Sequence, residues 1–308
     1  MALTFIFTAL GLALFEIISS ADNAIINAEV LRTMTPKMRR WFLFWGILFA
    51  VFVIRGLLPW AIIWATVPSL GPLGAFAAAW SSDPMVHAAI AKSAPILMAG
   101  GGVFLVFLFF HWLFLEEKYF GLPGERFFRA QSVWFYAVVS ILLSVIVWLA
   151  LKTDPLMAFG AVIGSTAFFI THGFKENAER AEKELLSGTS KKSDWSKILY
   201  LEVIDATFSI DGVLGAFAFT LSVPLILIGN GIGAIVLRKL TVSNIETVKK
   251  YIFLKNGAMY SVFFLGGIMI LHAFHVPVPE WVSPLVTFLV VGYFFWKSRC
   301  HLTAPSCP

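Results

Sequence analysis

Residues 3–31 read LTFIFTALGLALFEIISSADNAIINAEVL, and residues 198–221 read ILYLEVIDATFSIDGVLGAFAFTL. Each run is long and apolar enough to cross ~30 Å of hydrocarbon as a helix. Yet Glu16, Asp22, Asp205 and Asp211 lie inside the two runs, where charge is normally excluded. Aligned with one another, Glu16-Ile-Ile-Ser-Ser-Ala-Asp22-Asn23 matches Asp205-Ala-Thr-Phe-Ser-Ile-Asp211-Gly212. In both, a serine (Ser20, Ser209) follows the first acid by one helical turn, and an aspartate follows the serine by two residues.

The rest of the chain is of the same kind. It is 59% hydrophobic, 13% charged and has a mean hydropathy of +0.84 over 308 residues. A water-soluble domain carries about 25% charged residues, so the solvent of this chain is lipid. Apolar runs fall near residues 3–31, 41–66, 93–115, 132–151, 156–173, 198–221, 223–240, 257–275 and 280–297. The expectation is an all-α, polytopic membrane protein of about nine transmembrane helices, forming one transmembrane domain over residues 1–308. Lys and Arg alternate between the connections. One set holds Arg32, Lys37, Arg39 and Arg40, then Lys118, Arg126 and Arg129, then the connector 174–197, then Lys239 to Lys255, then the tail. The other set holds only Lys92 and Lys152. Because cytoplasmic connections carry the positive excess, the N-terminus is expected outside and the C-terminus in the cytoplasm. Within the connector, Glu176 with Arg180 and Glu179 with Lys183 have the spacing of a solvated helix.

The repeat extends past the first match. Gly46 and Arg55 recur as Gly229 and Arg238, and Gly100, Gly101 and Gly102 are echoed by Gly266 and Gly267. The first repeat runs over about residues 1–115, connecting helices and a loop over about 116–197, the second repeat over about 198–275, and a final helix over about 280–297. Five spans separate the copies, so they enter the membrane from opposite sides, the inverted three-helix arrangement of secondary transporters. In such folds the substrate site lies where the copies meet.

Acids at a helix centre cost ~2.5–3.5 kcal/mol each, so the four together cost about 10 kcal/mol if nothing offsets them. Arg55 and Arg238 are candidate partners, and Glu202 near the inner boundary adds a further negative charge. A divalent cation or protons would complete the balance. Carboxylates with Ser20, Ser209 and the amide of Asn23 form an oxygen-only set suited to manganese, magnesium or calcium. Ser19 and Ser20, with Thr207, Ser209 and Gly212, are poor helix formers and lead us to expect local unwinding in both runs. The competing reading is that the acids only pair with arginines and hold helices in register.

Other classes find little support. The basic residues sit in short connections, leaving no basic, aromatic-laced surface for nucleic acid. No His-Glu-x-x-His or Gly-x-Ser-x-Gly motif suggests an enzyme. Cys300 and Cys307 lie in the tail and suggest neither a disulfide nor a zinc site. The Gly229-Asn230-Gly231-Ile232-Gly233 run lies within an apolar span, where close helix packing is the better reading.

These residues resemble the TerC family of bacterial membrane proteins, grouped with the LysE transporter superfamily. The family's first helix has an acid followed by Asp-Asn, present as Glu16, Asp22 and Asn23. Its later helix has Glu-x-x-Asp-x-x-x-Ser-x-Asp, present as Glu202, Asp205, Ser209 and Asp211. The resemblance implies manganese efflux across the bacterial cytoplasmic (inner) membrane, coupled to protons, with the five acids lining the metal path and no cofactor. Gly212 stands where many relatives have serine, and the segment 67–92 is unusually long. Two alternatives are a LysE-like exporter of a small cationic organic solute and a membrane scaffold without transport activity.

Overall fold

The fold is that of an all-α membrane protein, described from a computed structural model over residues 2–46, 49, 55–66, 68–80, 84–186 and 193–303. Its helices are α1 (Ala2–Ser19), α2 (Ala21–Arg32), α3 (Pro36–Trp41), α4 (Arg55–Thr66), α5 (Gly71–Trp80), α6 (Pro84–Leu115), α7 (Glu125–Ala130), α8 (Phe135–Leu151), α9 (Pro155–Leu186), α10 (Asp194–Phe217), α11 (Val223–Lys250), α12 (Leu254–Ala273) and α13 (Val282–Thr303). Among the described residues four stretches are long and apolar enough to cross a membrane, namely Ser93–Leu115, Ser132–Leu151, Pro155–Asn177 and Leu254–Ala273; Leu3–Ser19 and Val223–Leu237 are shorter apolar helices. The acids that α10 carries along its length keep it outside this group although it is 24 residues long.

The helix α6 forms the axis of the bundle, 78% of its apolar window being buried, whereas α8 is only 22% buried and turns Ile141, Val145 and Trp148 outward. Glycines set the spacing around α6. A Cβ on Gly160 would lie 2.5 Å from the Ile96 carbonyl oxygen, and one on Gly102 would lie 2.9 Å from that of Gly266. Helices in lipid gain little from hydrophobic burial against one another, so such backbone approach supplies the dispersion contact that holds them. Phe104, Phe107 and Phe168 fill the α6–α9 interface, and Phe109 packs on Phe263 of α12 with ring centroids 4.5 Å apart.

The order of these contacts gives the helix directions. Gly100 meets Gly164 and His111 meets His172, so α6 and α9 run parallel. Gly102 meets Gly266 and Phe109 meets Phe263, so α6 and α12 run antiparallel. Gly229 lies against Leu12 and Gly233 against Ala13 and Glu16, so α1 and α11 are parallel. Gly215 lies against Phe15, and Phe219 against both Phe15 and Gly11, so α1 and α10 are antiparallel. The helices paired by the sequence repeat, α1 with α10 and α6 with α12, therefore pack on each other in opposite directions.

The helix ends fall into two groups. On one face, Asp194 accepts from the Thr35 amide at 3.1 Å and hydroxyl at 2.6 Å, and Lys197 donates to Thr33 Oγ1 at 2.9 Å. Those two bonds from Thr35 hold the Asp194 carboxyl below its ordinary range. On the same face Asn256 donates to the Tyr119 carbonyl, Lys255 pairs with Glu116 at 2.7 Å, and the Phe253 amide donates to Ser298 Oγ. On the other face Ser283 donates to the Ala218 carbonyl at 2.7 Å, and Lys152 lies 3.4 Å from the Trp148 ring centroid. The first group joins only connections that the Lys and Arg alternation places together.

Candidate functional site

The two acid-bearing helices meet in antiparallel fashion. Glu16, fully buried on α1, lies against the backbone of Gly212 on α10, where a Cβ would stand 3.4 Å from Glu16 Oε2. Eleven residues on, Asn27 of α2 donates to Asp205 Oδ1 at 2.9 Å. On its opposite side Glu16 rests against Gly233 of α11, so a glycine on each neighbouring helix makes room for this one side chain. The Gly229–Gly233 run thus serves close helix packing, as its place in an apolar span implied.

At Ser20 the first span is interrupted, and α1 gives way to α2 through a residue with φ −96° and ψ 4°. Backbone bonds bridge the turn, Ser20 N–H to the Glu16 carbonyl at 3.1 Å and Ala24 N–H to that of Ser20 at 3.0 Å. The Ser20 hydroxyl donates to Glu16 Oε1 at 2.6 Å. The expected unwinding is therefore a one-residue interruption here, and on α10 it does not occur: that helix runs unbroken from Asp194 to Phe217. Ser209 Oγ donates back to the Asp205 carbonyl at 2.6 Å, a bond of a kind that often bends helices but does not interrupt this one. The repeat-related serines thus do different things, one binding its acid's side chain and the other its acid's backbone.

Asp205 is buried, 7% exposed, and Glu202 is half-buried. Glu202 reaches the π-helical turn Phe42–Gly46, where a Cβ on Gly46 would lie 2.5 Å from Glu202 Oε1. Wide turns of this type are frequent at functional sites, and a side chain at position 46 would require the carboxylate to shift. Glu202 Oε2 is buried without a hydrogen-bond partner among the described residues. Asp22 and Asn23 sit on α2, Arg55 opens α4 and Arg238 lies on α11, but all four side chains are outside the described residues.

Two features were missed by the sequence reading. Lys175, counted there with the connector, lies within the apolar stretch Pro155–Asn177, and its ammonium pairs with Asp211 Oδ2. A four-carbon stem lets a lysine near a helix end reach several ångströms along the bundle, which residue position alone does not reveal. Asn230 is 1% exposed with neither amide atom hydrogen-bonded among the described residues.

Beside this crossing runs a second polar path. The rings of His111 and His172 lie 3.9 Å apart, with His111 Nδ1 3.6 Å from Glu116 and His172 Nε2 3.4 Å from Glu176. Burial pushes the Glu116 carboxyl up, but the hydrogen bond from His111 and the Lys255 charge outweigh it and leave the group below its usual range. Among the described residues no three His, Cys, Asp or Glu side chains converge as a metal-ligand set.

Neither the characterised proteins nor the solved structures contain a match to this chain. A family model described as a protein of unknown function, DUF475, matches residues 21–302. That match takes in α2 to α13 and every acid of the crossing except Glu16, and it identifies the chain as a member of the DUF475 family.

Proposed function

We propose that the protein is a secondary transporter that exports a divalent cation, manganese first, across the bacterial cytoplasmic membrane in exchange for protons. The observation that carries this reading is that buried carboxylates line the contact of the first span with the antiparallel α10, Glu16 beside Gly212 and Asp205 bonded to Asn27, in the interior of an apolar bundle. Buried acids in a membrane interior mark ion and proton pathways. The helix interruption at Ser20 and the π-helical turn at Phe42–Gly46, which Glu202 reaches, put irregular backbone next to those acids, as in transporters whose sites form at interrupted helices. The TerC-like spacing of Glu16, Asp22, Asn23, Glu202, Asp205 and Asp211 supports the same substrate. In this reading Asp22 and Asn23 complete the ligand set, because the described acids do not converge by themselves. The N-terminus lies outside and the C-terminus in the cytoplasm.

One observation favours a second reading. Asp211 accepts an alkylammonium group, that of Lys175, which is the chemistry expected of a site for a small organic cation. Manganese flux in proteoliposomes, compared for wild type, Asp22→Asn and Asp211→Asn, tests the first reading. Loss of flux in both variants, with folding intact, is the expected result. Equal flux in all three would sink the metal reading. Flux of a basic amino acid without flux of manganese would establish the second, and no flux of either would favour a scaffold.

A further inference from the structure

We infer that Lys175 is a built-in counter-cation that occupies Asp211 when no substrate is bound and must leave for the substrate to bind. The inference rests on the transport reading above and adds how the unloaded site is held.

Lys175 and Asp211 have side chains only 13% and 14% exposed, so each is largely removed from water. One carboxylate oxygen receives the ammonium; the other, Oδ1, is buried without a hydrogen-bond partner among the described residues. Asp211 is thus half-ligated, by a cation that belongs to the protein. The next residue, Gly212, is the one against which Glu16 packs, so the pair lies one position along α10 from the acid crossing. The partners come from different helices, α9 and α10, so the pair breaks if either shifts.

The choice of lysine suits this role. Its ammonium is a point charge on a flexible stem that can withdraw, whereas a guanidinium would grip the carboxylate with two parallel bonds. With Lys175 in place, the empty transporter carries no bare charge at Asp211 while its helices rearrange, which lowers the cost of the return step. A divalent cation then competes with one fixed positive charge. If the ammonium holds Asp211 in about nine of ten unloaded molecules, the apparent affinity for substrate is about tenfold weaker than the intrinsic one.

Binding of Mn²⁺ to the purified full-length chain, followed by loss of the free-ion spin resonance signal, tests this. Lys175→Gln should bind Mn²⁺ about tenfold more tightly than wild type, Lys175→Arg more weakly, and the gain should vanish in the Lys175→Gln, Asp211→Asn double variant. A second measurement needs no variant. Acylation of Lys175 by a small amine-reactive ester, read by peptide mass spectrometry, should rise several-fold when Mn²⁺ saturates the protein. Binding to Lys175→Gln equal to or weaker than wild type, or acylation unchanged by Mn²⁺, overturns the counter-cation role while leaving transport standing. Should Lys175→Gln fail to fold, the acylation result decides alone. Absence of Mn²⁺ binding from every form overturns the transport reading and this inference together.

Discussion

Glu125 shows how differently two buried acids can be treated by the same fold. It is 1% exposed and accepts from the amides of Gly121 and Leu122, from the side-chain amide of Asn256 and from the Tyr260 hydroxyl, at 2.9–3.2 Å. A carboxylate so fully satisfied is structural, tying the connection after α6 to the start of α12. Glu202 and Asp211 each keep a buried oxygen without a partner among the described residues. Glu125→Ala should lower stability by about 3 kcal/mol, because it removes the acceptor of two backbone donors and of the Asn256 amide hydrogen that does not go to the Tyr119 carbonyl. Glu125→Gln should be milder but still harmful, since its NH₂ group turns a donor toward other donors. Melting temperature in detergent, with Mn²⁺ flux normalised to folded protein, checks both; unchanged melting with lost flux would instead make Glu125 functional. The sequence displays Glu16, Asp205 and Asp211 as candidates because they interrupt apolar runs. It places Glu125 in a charged connection and is silent on it, and the pairing of Lys175 with Asp211 spans 36 residues and two helices. Distance along the chain hides such partners, whereas an acid within a span announces itself.

Glycines were readable in the sequence as echoes between two halves, and the structure gives them a mechanical role at helix interfaces. A Cβ on Gly164 would fall on the Gly100 carbonyl oxygen, and backbone on both sides leaves nothing flexible to move aside. Gly164→Ala should therefore force α6 and α9 apart and destabilise the protein by about 1–3 kcal/mol. Gly267 has open space where its Cβ would be, so Gly267→Ala should be neutral or stabilising by up to about 1 kcal/mol through helix propensity alone. Paired melting curves of the two variants check the contrast; equal shifts would show that the α6–α9 approach is not what limits stability. Among the described residues, six of the apolar runs coincide with four long and two shorter apolar helices, yet run length alone reads the two acid-bearing runs as alike. In the structure they differ: Ser20 donates to its acid's side chain where α1 gives way to α2, and Ser209 donates to its acid's carbonyl within the continuous α10.

The alternation of basic connections and the grouping of helix ends bear on how the chain sits in a bilayer. Contacts join the Thr33–Thr35 turn to Asp194 and Lys197, the Tyr119–Glu125 connection to Asn256, and Phe253 to Ser298. Each pairs segments that the sequence assigns to one side, and the helix directions around α6 and α1 agree with a chain that crosses at every long apolar run. Grouping of ends follows from packing, whereas the choice of side follows only from the positive excess, which acts during insertion and leaves no trace in helix contacts. Labelling separates the two. Lys152 is exposed beyond α8 on the sparsely charged face, and Cys300, near the end of α13, lies on the basic face; the chain's other cysteine, Cys307, is outside the described residues. With both native cysteines replaced by serine, Lys152→Cys should react with a membrane-impermeant maleimide in intact cells from which any outer membrane has been removed. The native cysteines of the unaltered chain should react only after the cytoplasmic membrane is permeabilised. The reverse pattern would invert the orientation, make the proposed export run inward, and place Glu116, Glu176 and the His111–His172 pair on the outer approach to Asp211. Reaction of both without permeabilisation would contradict the bundle itself, since no arrangement of these helices puts the end of α8 and the end of α13 on one face.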